Sequence, residues 1–119
     1  MLLSCAGHAD DARVEFAEFH NQGGNTWSVS VTLRHADTGW DHYADAWRVV
    51  GLWNSELGRR VLYYPHEDEQ PFTRSLSGVN IPSGVTTVRV EAHDKVHGWN
   101  PARLQVDLTA SSGDGFKVR

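Results

Sequence analysis

The chain has 119 residues, a formal net charge of −4 and a charged fraction of 22%. That length suits one core rather than two, and 39% apolar residues with five Trp exclude a disordered chain. Mild acidity without a basic cluster leaves no electrostatic footprint for a phosphate backbone, which argues against nucleic acid and against anionic membrane surfaces.

The first nine residues carry the only cysteine, Cys5. One thiol excludes an intrachain disulfide and a thiolate-based zinc site. Leu2-Leu3-Ser4-Cys5-Ala6 has lipobox-like spacing, and Gly7-His8-Ala9 resembles a small-x-small cleavage site. Residues 1–9 are therefore expected to be the remnant of a signal peptide, the alternative being a disordered N-terminus. The first reading places the protein in the periplasm or outside the cell. No stretch is long and apolar enough to be a transmembrane segment.

From Ala12 the chain alternates between short β-type runs and turn clusters. Residues 12–20 open with Val14 and Phe16 two apart, and Asn21-Gln22-Gly23-Gly24-Asn25 reads as a hairpin turn. Trp27, Val29, Val31 and Leu33 against Ser28, Ser30, Thr32 and Arg34 give strict period-two alternation, the mark of a half-buried strand. Residues 42–50 set Tyr43, Trp47 and Val49 in register, with Asp45 on the same face. Tyr43, Trp47 and Val50 also fit a helical spacing, but the shortness of the run and its turn residues favour a strand. A loop over 51–58 precedes a strand over 59–64, which Pro65 stops because proline cannot donate to a ladder. Phe72 and Leu76 mark a fifth strand, 78–84 a turn, Val88, Val90 and Ala92 a sixth strand, and Leu104, Val106 and Leu108 a seventh.

Seven short strands separated by evenly spaced turns predict an all-β fold, a seven-stranded antiparallel sandwich over residues 10–110, followed by a flexible Gly- and Ser-rich tail at 111–119. The run Ser75-Leu76-Ser77-Gly78-Val79-Asn80-Ile81-Pro82-Ser83-Gly84, continued by Val88-Arg89-Val90, resembles the E-to-F region of a fibronectin type III-like domain. There a Leu, a Gly- and Pro-rich turn and a V-x-V strand follow in that order. A wider resemblance, to small secreted bacterial proteins without an assigned role, rests on residues 35–45, on Pro65-His66 with 68–76, and on Ala92-His93-Asp94 with Val96-His97-Gly98. It implies a stand-alone exported immunoglobulin-like or fibronectin type III-like sandwich and brings no activity with it.

If successive strands alternate in direction, the loops fall at two ends. Residues 21–25, 51–58 and 78–84 share one end and contain no histidine. Residues 36–41, 65–71 and 94–101, with their flanks, share the other. Five of the seven histidines, His35, His42, His66, His93 and His97, gather there with Asp37, Asp41, Asp94 and the acidic run Glu67-Asp68-Glu69. His20 lies at the opposite end. Imidazole beside carboxylate suits Zn²⁺, Cu²⁺ or Mn²⁺. The candidate ligands are His42, His66, His93, His97, Asp41 and Asp94, with Zn or Cu(II) as the expected ion. The competing reading is that these side chains fix long loops through Asx-turns and imidazole–carboxylate pairs. Trp40, Trp53 and Trp99, in or next to loops, are candidates for a platform that stacks on a sugar or a partner peptide, Trp40 and Trp99 above all, whereas Trp27 and Trp47 are expected in the core. Asp45 and Arg74, each on an apolar face, are candidates for an ion pair, for the lining of a site, or for a face assignment wrong by one residue.

No enzyme signature is present. A G-x-S-x-G elbow is missing, nothing sets two carboxylates across a cleft, and Gly23-Gly24 lacks the spacing of a phosphate loop. The sequence thus reads as an exported, non-catalytic binding module that takes a divalent metal or a protein partner at its His- and Asp-rich loop end. The rival readings are a metal-dependent enzyme using the same residues and a structural domain that assembles through a sheet edge.

Overall fold

The alternation that starts at Trp27 becomes β2 (Thr26–Arg34), in which Val29, Val31 and Leu33 are fully buried and the intervening residues half-exposed. The structure, a computed structural model, describes residues 11–119. The expectations for residues 1–9 and Cys5 lie outside the described residues. β1 (Arg13–Gly23) pairs antiparallel with β2 through the turn at Gly24 and Asn25, and β5 (Phe72–Asn80) flanks β2 on its other side. In the second sheet β3 (Ala44–Val50) lies between β4 (Glu56–Val61) and β6 (Thr87–Asp94), and β8 (Leu104–Asp107) pairs with β6 beyond. Phe19, Val29, Val31, Leu33 and Phe72 of the first sheet meet Trp47, Val49, Val88, Val90 and Val106 of the second, and these facing sets make the core.

The architecture is all-β and two-sheeted as expected, but ten strands are present among the described residues instead of seven. The additional ones are β7 (Gly98–Trp99), β9 (Ser112–Gly113) and β10 (Phe116–Val118), each of two or three residues. Elements so short show no period-two pattern. Nor is the fold purely antiparallel, because β10 runs parallel to β1, with Ala17 opposite Phe116 and Phe19 opposite Val118. Residues 111–119 thus join the first sheet, where a flexible tail was expected. Phe116 is buried against the core, and its ring lies over Gly113, where an added Cβ would stand 2.4 Å from ring carbons. Gly113 is the only residue type that lets this ring close down.

Two boundaries also moved. The turn expected at 78–84 begins after Asn80, because Gly78 takes φ 71° at an irregularity in the ladder and lets Val79 and Asn80 go on pairing with Trp27 and Thr26. The loop expected at 51–58 contains a 3₁₀ turn, Leu52–Asn54, and gives way to β4 at Glu56. No helix among the described residues is long and apolar enough to cross a membrane.

Candidate metal centre

Two inner strands, one from each sheet, end side by side with a polar residue on the inward face. Val29, Val31 and Leu33 of β2 are followed two residues on by His35; Val88, Val90 and Ala92 of β6 are followed by Asp94. The period-two pattern that builds the core therefore carries both side chains into it, at 2% and 0% exposure.

Asp94 is the hub. Its Oδ1 accepts the backbone N–H groups of Val96 at 2.9 Å and His97 at 2.7 Å, and its Oδ2 that of Ala12 at 3.3 Å. This Asx-type turn folds residues 95–97 over the strand end. It leaves His97 Nδ1 3.1 Å from Asp94 Oδ1 and 3.1 Å from Asp11 Oδ1. Burial pushes the Asp94 carboxyl up. The N–H groups of His97, Val96 and Ala12, aided by the His97 ring, outweigh that push and hold it below the usual carboxylate range. Asp94 is an anion at neutral pH.

His42 enters from the β2–β3 loop. Its Nε2 stands 3.2 Å from Asp94 Oδ1 and 3.2 Å from His35 Nε2. Behind His35, Nδ1 lies 2.5 Å from Asp37 Oδ1. The same oxygen accepts the Ala44 N–H at 3.1 Å, and Asp37 Oδ2 accepts the His66 N–H at 2.7 Å. Burial raises the Asp37 carboxyl, and these bonds, with that of His35 the largest of them, bring it below its ordinary value. In the ring tautomer protonated at Nδ1, His35 donates a hydrogen bond to the ionised Asp37 carboxylate and presents its Nε2 lone pair to His42 and Asp94. Metal-binding histidines are oriented by carboxylates in the same way.

Zinc held by nitrogen and oxygen at about 2.0–2.1 Å in a tetrahedron separates its ligand atoms by about 3.3 Å along each edge. The two 3.2 Å separations, His35 to His42 and His42 to Asp94, match that edge. Two groups of ligand atoms, each within 4.8 Å of one another, share Asp94: His35, His42 and Asp94 form the first, and Asp11, Asp94 and His97 the second.

Of the residues expected as ligands, His42, His97 and Asp94 come together. Asp41 does not: a turn in which Thr38 and His42 bond across Gly39 sets it on the exposed tip beside Trp40. His93 precedes Asp94 on β6, so its side chain leaves on the opposite face of the sheet. There its Nδ1 lies 2.5 Å from Asp45 Oδ1 and its ring edge meets Trp99. His66 stacks on Phe72 with ring centroids 4.0 Å apart and shares a pocket with Arg60 and Arg74, surroundings that repel a cation. Trp40 is 64% exposed and packs edge-on against Tyr43. Trp99 lies instead under the Arg48 guanidinium, 3.9 Å from its ring centroid, so the two tryptophans make no common platform. The Asp45–Arg74 pair is not formed. The β3–β6 ladder slips between Ala44 and Ala46, which takes Asp45 off the core face, and Arg74 pairs with Glu69 at 3.2 Å.

His35 and Asp11 were missing from the expected ligand set. Extending the β2 alternation by one step past Leu33 identifies His35. No comparable signal marks Asp11, which the chain brings in from outside β1 through the Ala12–Asp94 hydrogen bond.

The chain is 41% identical over 102 residues, 86% of its length, to a protein of Halomicrobium mukohataei described as "Putative lipoprotein", and it spans half the length of that relative. No protein-family model and no solved structure matches it.

Proposed function

We propose that this chain is a non-catalytic module of an exported, envelope-anchored protein and binds one divalent transition-metal ion, Zn²⁺ or Cu²⁺, through His35, His42 and Asp94. The observation that carries the reading is the run of 3.2 Å contacts from His35 Nε2 through His42 Nε2 to Asp94 Oδ1, backed by Asp37 on the far side of His35. His97 and Asp11 stand beside Asp94 as further donors. Export is supported by the lipoprotein description of the relative and by the lipobox-like order Leu2-Leu3-Ser4-Cys5. The pairing of β1, β2 and β5 against β4, β3, β6 and β8 supports a fibronectin type III-like core with added short strands.

Binding is favoured over catalysis by access. The side chains of His35 and Asp94 are fully buried, and His42 and His97 are only 18% and 23% exposed. Substrate has little room at the ion.

The experiment is calorimetric titration of the metal-free protein with Zn²⁺ and Cu²⁺, followed by thermal unfolding. One equivalent should bind, and an ion at a hundred times its Kd should stabilise the fold by about 2.7 kcal/mol. Affinity should fall from pH 7 to pH 5 as protons compete for imidazole. His42→Ala, a change in a loop, should fold normally and lose the ion, while His20→Ala at an exposed position of β1 should keep it. Stability independent of metal in the parent chain would leave the cluster as a hydrogen-bonded loop fastener.

A further inference from the structure

On the open side of the sandwich β4, an edge strand of the second sheet, comes against β5, an edge strand of the first. Between them is a pocket of about 80 Å³. Arg60 of β4, Tyr63, Tyr64 and His66 of the following loop, and Arg74 of β5 contribute its polar walls, and no acidic residue lines it.

Its nitrogens are not accounted for. Nδ1 and Nε2 of His66 and Nε of Arg60 are buried with no hydrogen-bond partner among the described residues. His66 is only 7% exposed, and its ring plane is fixed by the stack on Phe72 and by Tyr64 at 5.1 Å. A buried polar group left unpaired costs about 1–3 kcal/mol, and His66 and Arg60, which carry these three atoms, both line the pocket. Arg74 is partly engaged, its Nη1 donating to the Thr73 carbonyl at 2.7 Å and its Nη2 to Glu69 Oε1 at 3.2 Å. Burial, and after it the Arg74 charge, hold the His66 imidazole below its usual range against the opposing pull of Asp37 and Glu69. Two guanidinium groups and a ring short of partners thus surround a volume suited to a few heavy atoms.

We propose that Arg60, His66 and Arg74 form a binding site for a small oxyanion, the phosphate or carboxylate group of a ligand. Guanidinium N–H groups meet such oxygens with charge-assisted hydrogen bonds. The His66 ring adds a donor, and its second nitrogen accepts from a protonated oxyanion such as hydrogen phosphate or takes up a proton when the anion enters. Tyr63 and Tyr64, 72% and 54% exposed at the mouth, are positioned to touch whatever carries the group. This site is separate from the metal centre. The two are linked through backbone groups: the His66 N–H donates to Asp37 Oδ2, and Gln70 bridges the His35 N–H and the His66 carbonyl.

The test is a pair of NMR titrations of the whole chain at constant ionic strength and pH 7, one with sodium phosphate and one with sodium acetate, following the His66 ring and the Arg60 side chain. Saturable shifts of both groups are expected. Arg60→Gln and His66→Phe, the latter keeping a ring stacked on Phe72, should weaken binding about tenfold or more. Saturation by phosphate alone assigns the site to phosphate groups, saturation by acetate alone assigns it to carboxylates, and saturation by both assigns it to oxyanions at large. Shifts that stay linear with concentration for both anions, or that Arg60→Gln leaves unchanged, overturn the proposal. Should His66→Phe fail to fold, Arg60→Gln on a partly exposed strand residue decides alone.

Discussion

A carboxylate with almost no exposure survives in a protein interior only when donors converge on it, and Asp37 and Asp94 are both so placed. Each has its pKa lowered in the fold, so each favours the folded state above the unfolded carboxylate pKa of about 3.9 and loses that contribution as the pH drops through its folded value. Urea unfolding measured from pH 6 to pH 2.5 should therefore show stability falling from about pH 4 downward. Asp37→Asn should cost about 1–3 kcal/mol at pH 7 and flatten that decline, since one of the two titrating groups is gone. A decline as steep as in the parent would place the acid sensitivity elsewhere. At this scale the sequence was legible wherever the alternation held. Asp94 follows Ala92 in phase and was expected as a ligand; His35 follows Leu33 in phase and could have been. The pattern misled at Asp45, because a ladder slip shifts the phase by one residue and leaves no mark in the residue types. His93 failed for the opposite reason. It was grouped with Asp94 by loop position, although adjacent residues on a strand leave on opposite faces.

The strand that most alters the expected architecture is β10, three residues long and preceded by glycines at 113 and 115. Composition alone made the segment look frayed, since Ser111-Ser112-Gly113-Asp114-Gly115 has no apolar side chain. Its order rests on Phe116, whose burial is a tertiary fact invisible to local reading, and on the ladder to β1. Phe116→Ala should destabilise the fold by about 3 kcal/mol, near the low end for a buried ring because the site is at the sheet's margin. Gly113→Ala should be nearly as harmful, because the Cβ would occupy the place of the ring. Equilibrium denaturation checks both. Removing residues 111–119 should do more than lower stability: it exposes the edge of β1, and light scattering should then detect association through that edge. Indifference to all three changes would return the segment to the status of a tail.

For the molecule as a whole, the inference that alternating strands gather the β2–β3, β4–β5 and β6–β7 loops at one end was the most productive reading of the sequence. Gln70 shows the outcome, accepting the His35 N–H at 2.9 Å and donating to the His66 carbonyl at 2.8 Å. His35, His42 and Asp94 make no local motif in the sequence, so direction of travel was the clue that brought their three segments together. The strand count was less accessible, since three strands are shorter than the pattern that reveals strands. Between β1 and β10 the parallel ladder has a mechanical consequence. Ala17 N–H bonds to Gly115 O at 2.9 Å, Arg119 N–H to Phe19 O at 2.9 Å and Asn21 N–H to Arg119 O at 2.7 Å. The first and last strands point the same way, so tension applied between the two chain termini slides one along the other and strains these bonds together. Tension across Arg13 and Arg34, opposite one another at the open end of the β1–β2 hairpin, would part its bonds one after another. Forced unfolding follows the barrier along the direction of pull. Single-molecule pulling through residues 11 and 119 should accordingly require clearly more force than pulling through cysteines set at 13 and 34. Equal forces would mean that the β1–β10 ladder does not carry the tension; unequal ones make this small sandwich a tether that resists stretching along its own length.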